Sequence, residues 1–508
     1  MMRLLGLLGG LSTALDLGTG APMEESLRRC VMATRLGRAA GLPDEVVADA
    51  LYAALLEHLG CTAYTHELAA ALGDDISAVR ASFLSDPSSP VAMLRTMIPM
   101  VAEASGHSRT RVLAAALRSG NRIDAEGPAA TCEVARNAAA RLGLPASVQE
   151  ALGHTTAMWD GSSHPPVSGD AIPLLARLGQ VASVATMFTL AAGPAYAVAE
   201  VRRREGTQLD PALALLVTEE LLTDIADLDP CEEVLALEPD PVRRVSHDEL
   251  PDVARTFGDL VDLKSPWLHG HSTAVGDLAA SAGACLAMAP EEQQALRVAG
   301  YLHDLGRIGV SSRIWDQSRA LTTSERAQVE LHPWHTEQIL GRVPELRDIA
   351  ALAVAHHERL DGSGYHRRAV AAQLPTGARV LAAADRYRCL VEERPHRPAV
   401  TAERAAAAVT AEARAGALDA DAVAAVLEAA GHLRRSRRPR PGGLTERQVD
   451  VLRLLAAGRS NRQIAADLVI SPRTAEHHVQ DLYARIGVST RAGAAVFAME
   501  HGLLLKSG

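Results

Sequence analysis

A chain of 508 residues is too long for one ordinary hydrophobic core, so two to four domains are expected. Apolar residues at 48% and charged residues at 22% give an ordinary globular balance, and a net charge of −10 excludes a polycation, so any nucleic-acid role must sit in a local patch. Six scattered cysteines without a CxxC pair read as reduced, mostly buried thiols of a cytoplasmic protein and not as a disulfide framework. Abundant alanine, 3% aromatic residues and scarce strand-like runs point to an all-α fold.

The opening MMRLLGLLGGLSTALDLG imitates a short secretory core, but Asp16 interrupts it and no cleavage site follows, so an amphipathic first helix is expected. Leu178 to Ala199 carries no charge and is long enough to span a bilayer. Its Ala, Ser and Thr content and the Gly193-Pro194 break argue instead for a buried helix and a turn, so no membrane partner is expected. An acidic, proline-spotted stretch from Asp227 to Asp248 and a basic linker over 433–443 divide the chain into helical blocks at 1–235, 250–432 and 444–508. The basic run Arg434 to Arg440 reads as solvated linker, with extra phosphate attraction as the alternative.

The first two blocks run in step. ESLRRCVMATRLGRAAGL…LLEHLG from Glu25 parallels HSTAVGDLAASAGACL…YLHDLG from His271. WDGSSHPPVSGDAIPLLAR parallels LDGSGYHRRAVAAQLPTGAR, and REGTQLDPAL parallels RAGALDADAV. Three matches in one order indicate a duplicated domain.

Metal-type residues gather in the middle block: His271, His303 with Asp304, His332, His356 with His357, and Asp385. Each has apolar helical flanks, so each can point into one bundle interior. Imidazole and carboxylate without thiolate suit Mn, Fe, Co, Ni or Zn and argue against a structural zinc knot. Seven ligand residues exceed the needs of one ion, so two ions sharing the Asp304 carboxylate are expected, a pair able to clamp the oxygens of a phosphodiester.

The order H…HD…H…HH…D, with HDLGR and HHERLDGSGY, resembles the HD-GYP family of HD phosphohydrolases from about Ser265 to Pro398. The resemblance implies a helical bundle with a di- or trinuclear centre and hydrolysis of cyclic di-GMP by metal-hydroxide attack on phosphorus. Carried over by position, His271, His303, Asp304 and Asp385 would hold one ion, and Asp304, His332, His356 and His357 the other, with Fe or Mn as the expected metals. Asp304 and Arg307 would be the catalytic pair. Gly362 and Gly364 would give the loop positive φ and bring its backbone near the site, with Tyr365 at the rim.

Three departures stand out. Arg307 replaces the family's lysine, and its wider fork puts the geometry at phosphorus in doubt. His366 replaces the GYP proline. Trp267 stands where trinuclear members carry a glutamate, hence two ions. His335 and Glu358, near the motifs, read as supporting residues behind the ligands or as exposed, and His269 as a surface neighbour. In the first block the ligand positions become Glu25, Glu57-His58, Thr155-Thr156 and Ser183, which resembles an HD domain that has lost its ligands. A separate metal site from Glu57, His58, His66 and His154 is the rival reading.

From Leu444 four short helices are expected, with capping boxes at Thr445/Gln448 and Ser460/Gln463 and left-handed caps at Gly458 and Gly487. Ala475, Val479, Leu482 and Ile486 face the core, so 460–468 and 472–486 form a helix-turn-helix. The segment 444–504 resembles the LuxR-type (GerE-like) DNA-binding domain. That resemblance implies double-stranded DNA as partner, with Glu476, His477 and Gln480 facing base edges and Arg462, Arg473 and Thr474 near phosphates. It also implies a homodimer through the last helix, about 490–501. Together these features predict a cytoplasmic transcription regulator of two tandem HD-type bundles and a four-helix LuxR-type domain. It would hydrolyse a cyclic dinucleotide or, as the alternative, only sense it.

Overall fold

The computed structural model describes residues 1–163, 166–432, 442 and 444–504. The linker expected over 433–443 lies outside the described residues apart from Gly442. The fold is all-α. Among the described residues the only paired strands are Met2–Arg3 and Arg244–Val245, which run antiparallel with Met2 opposite Val245. The chain divides into two compact units, Met1–Ser246 and His247–Gly508.

In the first unit the strand pair ties the acidic segment back to the N-terminus. That segment is no free spacer. It contains the helix Pro230–Leu237, and Glu238 accepts hydrogen bonds from Tyr52 Oη at 2.8 Å and Arg3 Nε at 3.1 Å. The first helix, Leu4–Gly18, is buried on nearly every side, Asp16 included, so it is a core helix and not the amphipathic one expected. The helices Glu25–Ala39, Asp44–Leu55 and Pro230–Leu237 enclose it. The uncharged stretch forms the helix Leu174–Ala192, ended by Gly193 and followed by Pro194–Arg203. It is long and apolar enough to cross a membrane, yet 72% of it is buried inside the fold. Of the cysteines only Cys30 and Cys132 are buried, and Cys285 is exposed, because its helix turns that edge to solvent.

The two units repeat one hydrogen-bond pattern at a constant offset. Asp16 accepts from the backbone N–H and hydroxyl of Ser26 at 3.1 and 3.0 Å. Asp262 does the same for Ser272 at 2.9 and 2.8 Å. The helices that follow, Glu25–Ala39 and His271–Cys285, are each preceded by a left-handed residue, Glu24 and Gly270. Gly60 and Gly306 each let a neighbouring backbone in. An added Cβ would lie 1.9 Å from the Thr131 carbonyl oxygen in one case and 2.0 Å from that of His332 in the other. The same contact therefore places Thr131 at the position of His332. Further on, Arg177 pairs with Asp210 at 2.7 Å and Arg379 with Asp419 at 2.9 Å, and both aspartates cap the next helix.

Candidate metal centre and reading helix

Five segments of the second unit deliver the site. His271 opens the helix His271–Cys285. His303 and Asp304 follow the helix Pro290–Leu302, where the chain tightens into the 3-10 turn Leu305–Gly309. His332 begins the helix His332–Leu340, His356 and His357 follow the helix Arg347–Ala353, and Asp385 sits within Thr376–Val391. Close crossing of the first two helices at Gly276 and Gly300 holds His271 near His303. A Cβ on Gly300 would lie 2.3 Å from Gly276 Cα.

All seven expected ligands come together. Asp304 Oδ2 lies 3.0 Å from His303 Nε2 and 3.6 Å from His271 Nε2. Its Oδ1 lies 3.3 Å from His332 Nε2 and 3.5 Å from His356 Nε2. Each oxygen of this carboxylate thus faces a different imidazole pair. Asp385 Oδ1 is 3.3 Å from His271 Nε2 and 3.9 Å from His303 Nε2, and its Oδ2 is 3.7 Å from His357 Nδ1. His357 also groups with His332 and His356 as a possible ligand triad.

The far side of each ring decides what it can do. Nδ1 of His303, His332 and His356 lies 2.7, 2.5 and 2.7 Å from the carbonyls of Gly300, Val329 and Ala353. A carbonyl only accepts, so each Nδ1 carries the proton and each Nε2 presents a lone pair to the centre. His332 and His356 then aim two unprotonated nitrogens at each other across 3.1 Å. Nε2 of His271 and His303 and both oxygens of Asp304 are buried without a hydrogen-bond partner of acceptable geometry. Orphaned lone pairs this close are costly unless a cation lies among them. The donor set therefore fits divalent metal.

The protonation states agree. Burial pushes the Asp304 carboxyl up, but Arg307 and His303 outweigh it and hold it well below the usual carboxylate range. Asp385 is likewise held low against burial by His271 and His357. Burial pushes His356 down to about 4 and lowers His332 and His357, so these rings are neutral donors at pH 7. His271 differs. Burial lowers it, but the Glu392 carboxylate at Nδ1, 2.7 Å away, carries it well above its ordinary value. Glu392 is in turn held by Arg388 and Arg394 at 2.8 and 2.9 Å.

Arg307 does not reach freely into the site. Its Nε sits 2.9 Å from Asp304 Oδ2, and its guanidinium lies over the Trp315 ring at 4.9 Å. Gly362 has the expected positive φ of 77°, but Gly364 is needed for close approach instead, because a Cβ there would meet Glu358 Cα and His357 O at 2.5 Å. Tyr365 is half-buried and packs on His357 with ring centroids 4.6 Å apart. Glu358 is buried and accepts from the Arg367 and Ala369 N–H groups at 2.8 Å, so it shapes the loop.

Sequence reasoning missed Glu392, Thr336 and Cys389. Thr336 Oγ1 accepts from Gly306 N–H and donates to His303 O, both at 3.0 Å, fixing the turn that carries Asp304. Cys389 lies one helical turn after Asp385 and donates to it at 3.3 Å, a spacing that could have been noticed. In the first unit the corresponding space holds the Arg29 guanidinium, fully buried, 3.1 Å from Glu57 and 3.3 Å from His58. His58 stacks on Phe83, and His154 turns to the Glu150 carbonyl. Among the described residues no metal-type triad forms in that unit.

The last four helices are Glu446–Ala456, Asn461–Asp467, Pro472–Ile486 and Arg491–Glu500. Both capping boxes form, and Gly458 and Gly487 take φ of 74° and 71°. Ala475, Val479 and Leu482 are buried, while Arg462, Arg473, Thr474, Glu476, His477 and Gln480 are all exposed. Thr474 shares a 2.7 Å hydroxyl contact with the N-cap Ser471, and His477 Nδ1 lies 3.1 Å from Asp481, a carboxylate on the same face that the sequence reading passed over.

Residues 255–422 match the HD domain family, and residues 443–498 match the family of bacterial regulatory proteins of the luxR type. The chain is 28% identical over 405 residues to the 3'3'-cGAMP-specific phosphodiesterase 3 of Vibrio cholerae, covering 78% of this chain and 88% of that one. A crystal structure of a cyclic GMP-AMP-specific phosphodiesterase of V. cholerae superimposes with a TM-score of 0.58 at 26% identity, covering 85% of this chain and 98% of that one. The transcriptional regulatory protein MctR of Rhizobium johnstonii is 45% identical over 65 residues, 13% of this chain and 30% of that one.

Proposed function

We propose that this chain, an HD-domain phosphohydrolase continued into a LuxR-type DNA-binding domain, hydrolyses a cyclic dinucleotide and acts on DNA in response to it. The observation that carries this reading is the convergence of Asp304 with four imidazole Nε2 atoms, two facing each oxygen. Two divalent ions bound there, Fe or Mn, would supply Lewis acidity and a nucleophile at neutral pH. The chain's own part is positional. Asp304 holds both halves together, the Nδ1 bonds fix the rings, and Arg307 offers a cation at the edge for a phosphate oxygen. A 3'3'-type cyclic dinucleotide, as in the Vibrio relative's name, is the substrate class. The first unit keeps the bundle and has exchanged its ligands for Arg29, so it serves packing or dimerisation.

For DNA, the exposed face of Pro472–Ile486 supports insertion into a major groove, with Glu476, His477 and Gln480 at base edges and Arg462, Arg473 and Thr474 at phosphates. A homodimer in the cytoplasm, where the chromosome is accessible, completes the reading. The second reading, a sensor that binds nucleotide and turns it over poorly, is favoured by one observation: Arg307 is already paired with Asp304.

The test is metal analysis of the purified chain followed by incubation with 3'3'-cyclic GMP-AMP and cyclic di-GMP. Linear product that disappears in Asp304→Ala supports the enzyme. Nucleotide binding that shifts DNA affinity without product supports the sensor. A chain that retains no metal overturns both.

A further inference from the structure

One face of the second unit lies beside the His271 segment of the candidate metal centre. Arg255, on the helix Leu250–Asp262, donates through Nη2 to the carbonyl oxygens of Met499 and Glu500 at 3.2 and 2.8 Å. These carbonyls close the C-terminal end of the helix Arg491–Glu500, where the Met499 carbonyl also accepts from the Gly502 N–H at 3.1 Å. Beyond them Leu504 folds against Gly270, where an added Cβ would lie 3.0 Å from Leu504 Cδ1 and 3.8 Å from Met499 Cγ. Gly270 immediately precedes the ligand His271.

Behind this face runs a connection to the ligand helix. Arg255 Nε lies 3.9 Å from the buried Asp259 carboxylate. Asp259 accepts the Thr273 hydroxyl at 2.9 Å, and Thr273 is in the first turn of His271–Cys285. Asp262 grips Ser272 in the same turn.

The repeated first unit serves as an internal control. It keeps the Asp16–Ser26 grip. At the offset that matches Asp16 to Asp262, however, Arg255 becomes Gly9, Asp259 becomes Thr13 and Thr273 becomes Leu27. Gly270 becomes Glu24, which takes a φ of 72° against 77°. The first unit thus holds a side chain in this left-handed turn, whereas at Gly270 a Cβ would also press on Leu504 Cδ1. The unit that continues into the DNA reader has the Arg255–Asp259–Thr273 chain and the bare turn. The unit without a reader has neither.

We propose that Arg255 and the Gly270 turn form a docking surface for the last helix of this chain's own DNA reader, and that through it metal at the His271 segment and the reader influence each other. The coupling rests on the metal reading above. Its two faces are separate: the reading residues Arg473, Glu476 and His477 stay exposed while the last helix is held. Linkage makes the effect reciprocal, so metal that steadies the His271 turn steadies the docked helix, and DNA bound to the reader shifts metal affinity by the same factor.

The test is amide hydrogen exchange over residues 491–504 of the full chain, stripped of metal and then titrated with Mn(II). In the wild type, Mn(II) slows exchange there by about fivefold or more, the lower end of ordinary allosteric coupling. In Arg255→Ala and Leu504→Asp the metal-free segment exchanges faster than wild type and no longer responds to Mn(II), while bound Mn per chain is unchanged. The proposal is overturned if both variants exchange as wild type does, or if Mn(II) binds the wild type at full stoichiometry and leaves the segment unaffected. A wild-type chain that binds no Mn(II) removes the metal reading and the coupling together, and the metal-free comparison with the two variants still decides the docking.

Discussion

Glu392→Gln isolates one ligand of the metal centre. Three of the ring partners at Nδ1 are backbone carbonyls, which no side-chain change removes, but His271 leans on a carboxylate 2.7 Å away. Glutamine keeps an oxygen that can accept from Nδ1–H and takes away the charge. A hydrogen bond to a charged group contributes about 1.5–3 kcal/mol and a neutral one about 0.5–1.5, so the exchange costs roughly 1–1.5 kcal/mol. That is about tenfold in affinity for the ion His271 helps hold, within the range known for partners behind metal ligands. Calorimetric titration of Mn(II) into the stripped chain, fitted to two classes of site, reads it directly. One class weakens about tenfold and the other stays within about twofold. Arg388 and Arg394 lose their shared anion in this variant, so a thermal melt accompanies the titration. Two unchanged classes, or two equally weakened ones, would refute the idea that Glu392 acts through His271.

Arg307→Lys releases the guanidinium now ion-paired through Nε with Asp304 Oδ2 and raises turnover of 3'3'-cyclic GMP-AMP about tenfold, about 1.4 kcal/mol in the barrier, in a product-release assay; an equal or lower rate counts against Arg307 as the brake. Asp16 is pushed up to about 7 by burial, from 3.8, so its contribution is present below about pH 4 and lost as pH rises through about 7, a cost on the order of 4 kcal/mol. Asp16→Asn keeps an oxygen for the Ser26 N–H, offers an amide N–H to the Ser26 hydroxyl oxygen in place of the second acceptor, and flattens that slope, so urea unfolding of the first unit shows the variant the more stable at pH 8; parallel slopes in the two proteins contradict it. Arg473→Ala weakens DNA binding evenly across sequences and lowers the salt slope by about 1, whereas Gln480→Ala costs about 1–3 kcal/mol of discrimination at one base position. Binding titrations over several salt concentrations separate these two outcomes.

The cluster was legible because each member is a rare residue type in a fixed local frame, and a carboxylate two carbons from the backbone leaves little choice of where to point. The helix-turn-helix was legible for a similar reason, since Thr445, Ser460 and Ser471 announce their helix starts within four residues. What escaped reading depends on distant partners. Glu392 sits in a run of charges and acquires meaning only from His271 across the fold. Arg29 looks like one more arginine in ESLRRC until Glu57 and His58 close around it. The first helix seemed to need a wet face, but neighbouring helices close over both sides and bury Asp16, which survives there through Ser26. Gly364 was assigned an unusual φ when its role is absence of bulk, a distinction only packing reveals.

Arg29 gives the first unit a positive charge that is part of the polypeptide. Such a charge arrives with synthesis, needs no supply from solution and cannot be drawn off by a chelator. One gene product thus sets a bundle closed around its own guanidinium beside a bundle whose central carboxylate and imidazole groups are left open to a cation from outside.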